Sequence, residues 1–566
     1  MDTVPLTDSS GFEGRSASLP KAKDMSHHIN QITKNRSPMA LKELYRYASQ
    51  PGMQAFAGGI PSPELFPFET LSAEIQRFDS LPLERPRVPT KPKKTLMEWL
   101  FGGNLQFTIP KYASDPTDPM AIQLATSLQY QAATGPPALP KFLREYVEKV
   151  YQPGYADWDV LVDVGATDGF GKAFNMLLTM GDAVLVEEWS YPGAMNAYMP
   201  FEVERVAVRM DGEGVRPDHL EDILTNWDQR TEGRPRPRVF YTVPTGQNPT
   251  GATMWHQRKK EVYAICQKYD VVIIEDDPYF TLHCGEYHPP GKKLAPLVQR
   301  SIDEQKKEGK KGNQAFIDAL PPSYLRFDTD GRVIRLDTSC PGSRLGWFTS
   351  SPLFIERLTR VSEASTQAPS GFATALTTTM LTTWGFDGYI RWLRGIKATY
   401  QQRRDWMVDA LGHAFHLEFD GDSSFNPLVA ETQFGRSVTG YARPVAGSAQ
   451  AQWDEKRGAS SALGHPLISF IPPSAGMFVF VGVHLTHHPE YERLGDEVLM
   501  RKLWKRLAEH LVLFAPGWAF DSCGVHDIGG KGMGYFRLSF SILPYETMQS
   551  GMVTFAKVLT EFMQGK

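Results

Sequence analysis

Between residues 160 and 276, short β-rich apolar runs alternate with helical stretches, and that alternation leaves few folds open. VLVDVGA (160–166), AVLVEE (183–188), VERVAVRM (203–210), PRVFYTV (237–243) and VVIIED (271–276) read as strands, followed later by RVIRLDT (332–338). GFGKAFNMLL (169–178) and HQRKKEVYAICQKY (256–269) read as the helices between them. Upstream, ALPKFLREYVEKVY (138–151) is an amphipathic helix with Phe142, Leu143, Tyr146, Val147 and Val150 at helical spacing. Strands that are apolar along their whole length are buried on both faces, and strand–helix succession makes neighbouring strands parallel. The expected fold is α/β: a large domain with a mostly parallel central sheet flanked by helices, plus a smaller α+β domain. The smaller domain draws on GMFVFVGV (476–483) and YFRLSFS (535–541).

At 566 residues the chain is too long for one hydrophobic core. Residues 1–35 are polar and weakly patterned and are expected as a flexible arm. Residues 36–120 should contribute to the small domain and the substrate side. They open on a helix candidate, SPMALKELYRYAS from Ser37, and carry an insertion at about 81–120 marked by LPLERPRVPTKPKK. Residues 121–395 form the large domain, with a lysine-rich polar insertion at about 296–330. Residues 396–566 complete the small domain, with a further insertion at about 420–465, and a long helix is expected over 386–414.

A net charge of −4 gives no basic footprint for nucleic acid. No apolar run reaches the roughly 18 residues that a membrane span needs. The start, MDTVPLTDSS, lacks the basic and apolar regions of a secretory signal. Cys266, Cys284, Cys340 and Cys523 form no paired spacing, which suits a reducing compartment and makes the cytoplasm the expected location.

In an open α/β sheet, ligands bind beyond the carboxyl ends of the strands, and polar clusters stand at those ends here. In VGATDGFGK, Gly165 permits a tight turn, and the helix beginning at Ala166 and Thr167 presents amides to a phosphate or is simply capped by Asp168. Tyr191 in EEWSYPGAMNAY covers a flat cofactor or packs in the core. Proline and glycine on both sides hold Asn248 of VPTGQNPTGATM in a rigid loop, which a plain turn would not need. In VVIIEDDPYF, one of Glu275, Asp276 and Asp277 pairs with a protonated ring nitrogen, or the acids bind magnesium. Arg344 in SRLGW and Arg537 in YFRLSFS bind phosphate or carboxylate, or make structural salt bridges.

FAGGIPSPELFP, LQY, EWSYPG, PTGQNPTG, EDDPY, PGSRLG and YFRLSFS occur together and in an order that resembles the fold-type-I pyridoxal-phosphate aminotransferases. The likeness is to the branch of fungal aromatic amino acid and kynurenine/2-aminoadipate aminotransferases, and it runs from about residue 35 to the end. The resemblance implies pyridoxal 5'-phosphate as cofactor, amino acid and 2-oxo acid substrates, and a homodimer. It implies that Ala166 and Thr167 cradle the phosphate with Arg344. Tyr191 stacks on the ring, Asn248 and Tyr279 bind its phenolic oxygen, and Asp276 pairs with its nitrogen. Arg537 holds the substrate carboxylate, Gly59 lines the substrate side, and Tyr130 reaches the phosphate of the neighbouring subunit. Asp276, Tyr279 and Tyr191 are the implied catalytic residues, with no metal.

One stretch departs from this pattern. Members of the family carry a segment resembling FSKTIAPG before RLGW, and its lysine attaches the cofactor covalently. Here the chain reads RVIRLDTSCPGSRLG over 332–346, and only Ser339, Cys340, Pro341, Gly342 and Ser343 stand between Thr338 and Arg344. The segment is several residues shorter and holds no lysine. Loss of such a general base costs about two to four orders of magnitude in rate. Three origins are open: a misplaced exon boundary, a catalytically silent binding or regulatory protein on the same scaffold, or a lysine supplied from elsewhere. Lys172 would reach the reacting carbon only with the ring in another orientation.

Overall fold

The computed structural model describes residues 18–38, 54, 59–89, 103–115, 118, 120–130, 133–227, 235–291, 293–419, 437–443, 464–524 and 532–566, apart from the side chains of Cys340 and Pro341. The apolar runs form one seven-stranded sheet. Its strands in chain order are β1 (Asp159–Asp163), β2 (Ala183–Glu187), β3 (Glu204–Val208), β4 (Val239–Thr242), β5 (Val272–Asp276), β6 (Val333–Cys340) and β7 (Leu345–Ser350). The spatial order is β1-β7-β6-β5-β4-β2-β3. From β6 to β3 all neighbours are parallel, and β7 runs antiparallel to both β6 and β1. The sheet is therefore mostly parallel, with one reversed strand fed by the tight β6–β7 connection.

Helices cover both faces. One face packs α1 (Ala138–Val150) and α3 (His256–Lys268) against Leu185, Phe240, Ile273 and Val333. The apolar stripe of α1 is buried as its spacing requires, each large side chain contributing about 1.5–3 kcal/mol. The helix stops at Tyr151, where Gln152 turns left-handed (φ 54°). The other face packs α2 (Ala166–Leu177) and α6 (Pro352–Glu363) against Val184, Val186, Tyr241, Val272 and Ile274.

Between them in the chain, α4 (Pro296–Lys306) and α5 (Lys310–Asp318) occupy the lysine-rich segment. No residue of α4 is buried, whereas Phe316 and Ile317 of α5 and the following Tyr324 and Leu325 join the core. The long helix expected over 386–414 begins earlier: α7 runs Gly371–Ala414 and breaks its helical geometry at Gly385, one residue before the expected start.

A second core lies under an antiparallel six-stranded sheet. Its strands are β8 (His416–Phe419), β9 (Val438–Tyr441), β10 (Ile468–Phe470), β11 (Phe478–His484), β12 (Ala515–Pro516) and β13 (Met533–Ser539), in the order β8-β9-β10-β11-β13-β12. Helices α8 (Tyr491–Glu509) and α9 (Tyr545–Met563) close it. Within the stretch expected as a surface insertion at about 81–120, Leu105–Pro110 forms a strand that pairs antiparallel with Thr70–Ile75, which precedes it.

The arm expected over residues 1–35 needs correction from residue 18 onward. Met25 and Ile29 are buried against the α2–α6 layer. Asn30 Nδ2 donates to the carbonyls of Asn175 (2.7 Å) and Leu178 (2.8 Å), which satisfies acceptors at the end of α2. Two apolar anchors in a polar stretch are too sparse to show periodicity. The helix expected from Ser37 and most of the insertion at 420–465 lie outside the described residues.

Candidate active site

The site lies where β1, β2, β4, β5 and β6 end. Along a strand successive side chains point to opposite faces, so β5 separates its terminal acids. Glu275 and Asp277 turn to Arg335 on the neighbouring strand β6: Nη1 is 3.1 Å from Glu275 Oε1 and 3.0 Å from Asp277 Oδ2. Asp337 completes that ion cluster at 3.1 Å from Arg335 Nη2. Asp276 faces the α2 side alone, so the three acids do not converge on one cation. Its register neighbour on β4 places Tyr241 beside Ile274, and the Tyr241 hydroxyl reaches along the sheet to donate to Asp276 Oδ2 at 2.7 Å. Asp276 Oδ1 is buried and meets no donor among the described residues. Burial pushes this carboxyl up to about 7, with Tyr241 opposing, Asp277 and Asp337 adding to the rise, and Arg335 opposing.

The loop after β4 is held from below by a second buried acid. Glu187, at the end of β2, accepts from Thr242 Oγ1 (2.7 Å), the Val243 amide (3.2 Å) and Gln247 Nε2 (2.9 Å). Gln247 also donates to the Trp189 carbonyl. This anchoring presents Asn248, whose Oδ1 accepts from Arg537 Nη1 at 2.8 Å. Arg537 sits on β13, between the rings of Phe478 (4.2 Å) and Phe520 (4.7 Å). Its Nε is buried without a partner among the described residues, and burial lowers its guanidinium from the usual value. Beyond β5 and before β11 the two parts of the chain meet: the Cys284 amide donates to the Ser474 carbonyl at 2.7 Å, and His283 bridges to Ala475.

The start of α2 forms the third part. Gly165 caps the helix at φ 108°, a conformation that favours glycine. The Ala166 amide donates to Thr338 Oγ1 at 3.2 Å. The Arg344 guanidinium lies over the same turn, with Nη2 3.2 Å from the point a Gly165 Cβ would occupy. Arg344 has no carboxylate partner among the described residues. A helix start facing an uncompensated guanidinium suits a phosphate. Thr167 is exposed at this turn.

Tyr191 and Tyr279 line the space between these parts. Tyr191 packs edge-on to Phe170 (6.4 Å) and Tyr279 edge-on to Phe478 (5.9 Å). Burial raises the Tyr279 hydroxyl, Asp276 adds to the rise and Arg537 opposes it. Gly59 and Tyr130 are exposed and not joined to this cluster by any contact among the described residues. Their loops touch each other through Gln129 Nε2, which donates to the Pro61 carbonyl at 2.8 Å.

The shortened segment is a tight hairpin. Thr338 pairs with Gly346 and Cys340 with Leu345, the register shifts between them, and Pro341–Ser343 make a single 3-10 turn. The buried lysines are committed elsewhere. Lys172 Nζ bonds to Asp163, to Asp168 at 2.5 Å and to Thr366 at 2.8 Å. Lys259 Nζ donates to the Pro322 carbonyl at 2.7 Å, and Lys111 Nζ pairs with Glu69 at 2.8 Å.

The residues present therefore fit two ends of pyridoxal phosphate and not the third. Asp276 Oδ1 is an orphaned acceptor for a ring N–H, and the Gly165–Arg344 cradle fits a phosphate; among the described residues no amine stands ready for a covalent link. Sequence reasoning missed Tyr241, Glu187, Gln247 and Thr338, because their roles depend on which strands lie side by side.

Known proteins resemble this chain along nearly its whole length. The profile of the family "Aminotransferase class I and II" matches residues 102–302. An aromatic amino acid aminotransferase of Schizosaccharomyces pombe is 35% identical over 551 residues, covering 96% of this chain and 97% of the relative. An L-tyrosine:2-oxoglutarate aminotransferase of Tapinella panuoides is 29% identical over 593 residues, covering 97% and 98%. The crystal structure of aminotransferase Aro8 from Candida albicans matches with a TM-score of 0.75 at 30% identity, covering 96% of this chain and 100% of that one. Fold and likeness converge: the chain belongs to the class I and II aminotransferases, fold-type-I proteins whose cofactor is pyridoxal phosphate.

Proposed function

We propose that this chain is built to move the amino group of an aromatic amino acid to a 2-oxo acid such as 2-oxoglutarate, and that as written it does so slowly because it has no lysine between Thr338 and Arg344. The observation that carries the reading is a pair of buried atoms without partners among the described residues, Asp276 Oδ1 and Arg537 Nε, in two residues whose charges both act on Tyr279. Aromatic preference is supported by the relatives named above and by the rings around Arg537. Trp189 contacts Phe480 at 5.0 Å and Tyr535 at 5.2 Å beside Phe478 and Phe520.

Bound pyridoxal phosphate would supply an electron sink for charge developing at the substrate α carbon. The chain's own groups do the rest. Asp276 Oδ1 holds the proton on the ring nitrogen, Tyr191 covers a ring face, and Asn248 with Tyr279 orients the phenolic oxygen. The helix start at Ala166 and Thr167, with Arg344, would hold the phosphate, the Ala166 amide exchanging its bond to Thr338 Oγ1 for one to the ligand. Arg537 offers its unpaired edge to the substrate carboxylate while Asn248 fixes the opposite edge. Among the described residues, proton movement at the α carbon is the step without an agent. Neither Ser339 nor Cys340 carries an amine, and Lys172 is bound to two acids.

The proposed setting is a cytoplasmic homodimer in which Gly59 lines the substrate side and Tyr130, 62% exposed, reaches a second copy's phosphate site. Residues 121–395 would form the cofactor domain, and 36–120 with 396–566 the smaller one. Among the described residues no helix is long and apolar enough to cross a membrane.

The test replaces SCPG at 339–342 by FSKTIAPG and assays both chains with tyrosine and 2-oxoglutarate. A gain of about two to four orders of magnitude is expected; a lysine-restored chain that stays inert with cofactor bound would sink the reading. Sequencing the native transcript across residues 330–350 decides the origin of the short segment. A second reading, a protein that binds the cofactor without turnover, is favoured by the missing lysine and gains if the transcript encodes LDTSCPGSRLG.

A further inference from the structure

We infer that Tyr241 is a positioning residue for the cofactor: its hydroxyl occupies Asp276 Oδ2, favours the charged form of the carboxylate, and leaves Oδ1 as the one acceptor aimed at the ring nitrogen. The inference rests on the cofactor reading above. It comes from the pairing of β4 with β5. Tyr241 stands beside Ile274, and the side chain two residues further along the same face is Asp276. A strand advances roughly 6–7 Å in two residues, which a tyrosine side chain spans, so its hydroxyl arrives at the carboxylate, at 2.7 Å. The two oxygens are thereby made unequal. Oδ2 has a donor, and Oδ1, in a residue only 4% exposed, has none among the described residues.

Tyr241 is itself fixed. Its ring packs on Phe170 (6.1 Å) and Phe174 (5.9 Å) of α2, and it is fully buried. Burial holds its hydroxyl well above the ordinary phenol value, with Asp276 the next cause, so it stays a donor. The carboxylate needs this help. The charges of Asp277, Asp337 and Arg335 act on it from the opposite face of the sheet, Tyr279 follows it on its own segment, and Glu187 acts on it from β2; the α2 face carries the apolar Phe170 and Phe174. Arg335 is shared among Glu275, Asp277 and Asp337. Tyr241 is the only direct hydrogen-bond donor to Asp276 among the described residues. A ring that arrives with its nitrogen protonated needs the ionised acid; where the carboxyl is protonated, binding must first expel that proton.

The experiment titrates the full chain with pyridoxal phosphate and, separately, pyridoxamine phosphate, following tryptophan fluorescence across a pH series. Four chains are compared: unmodified, Tyr241→Phe, Asp276→Asn, and the double variant. Phenylalanine keeps the ring packed on α2. The unmodified chain should bind more weakly as pH falls through about 7. Tyr241→Phe should weaken binding at neutral pH by about tenfold or more and move the midpoint up by about one pH unit. Asp276→Asn should abolish the pH step, and adding Tyr241→Phe to it should change affinity no further. An unmoved midpoint in Tyr241→Phe, or an equal loss in the Asp276→Asn background, overturns the inference while leaving the cofactor reading intact. Failure of the unmodified chain to bind either cofactor form overturns both.

Discussion

At the scale of single residues, the site is defined by which polar atoms have partners and which do not. Asp276 and Arg537 are each tied down on one edge and, among the described residues, unpaired on the other. An unsatisfied buried polar atom is costly, so these open edges mark where ligand atoms belong. In a lysine-restored chain, Asp276→Ala should abolish turnover, read as loss of tyrosine-dependent consumption of 2-oxoglutarate; retained turnover would remove Asp276 as the ring-nitrogen partner. Arg335 is the opposite kind of residue. Fully buried, it compensates Glu275, Asp277 and Asp337 at once. Arg335→Met leaves three buried acids uncompensated and should cost about 3–5 kcal/mol, measured by urea denaturation. A loss under about 1 kcal/mol would show that the acids take up protons instead.

At the scale of elements, the β6–β7 hairpin governs the phosphate cradle. It brings Arg344 over Gly165 and sets Gly346 against the same turn. A Cβ on Gly346 would stand 2.4 Å from the Asp337 carbonyl and 2.8 Å from Gly165 Cα, so the backbones touch. Gly346→Ala should force them apart at a cost of about 1–3 kcal/mol. It should also weaken pyridoxal-phosphate binding, because a displacement near 1 Å costs about a hundredfold in a positioned site. Equilibrium dialysis reads this directly, and unchanged affinity would mean that the phosphate does not sit between Gly165 and Arg344. The hairpin also explains the lysine deficit in structural terms. Cys340 already pairs with Leu345, which leaves one turn between the strands and no length of chain that could carry an amine into the site.

At the scale of the whole molecule, two buried acids link folding, pH and ligand. Burial raises Asp276 to about 7 and Glu187 to about 7. A carboxyl raised in the folded state stabilises fully below its ordinary value, and that contribution is lost as pH rises through about 7. Cofactor binding pairs Asp276 with a positive ring nitrogen and restores its share. The gap in Tm between chains with and without saturating pyridoxal phosphate should therefore widen as pH rises through about 7, because ligand that binds only the folded chain adds stability in step with its affinity. A gap that stays constant across the series would uncouple Asp276 from the ligand.

Much of this was legible in the order of residues. Apolar strands separated by helices specify a covered, mostly parallel sheet, and the α1 stripe specifies its own buried face, because both depend on local periodicity. The Asn248 loop, the arginines and the absence of lysine between Thr338 and Arg344 were equally plain. Other features were decided only when the chain closed on itself. Tyr241 reaches Asp276 across 35 residues and Arg537 reaches Asn248 across 289. Residues 18–35 find their place only because the α2–α6 layer offers Met25 and Ile29 an apolar surface. The acids of EDD separate because β5 lies between β4 and β6, which gives Asp276 a tyrosine on one side and sends its neighbours to Arg335 on the other. Periodicity is a property of a segment and can be read along it. Strand register and domain docking are properties of pairs of distant segments, so they exist only in the tertiary structure.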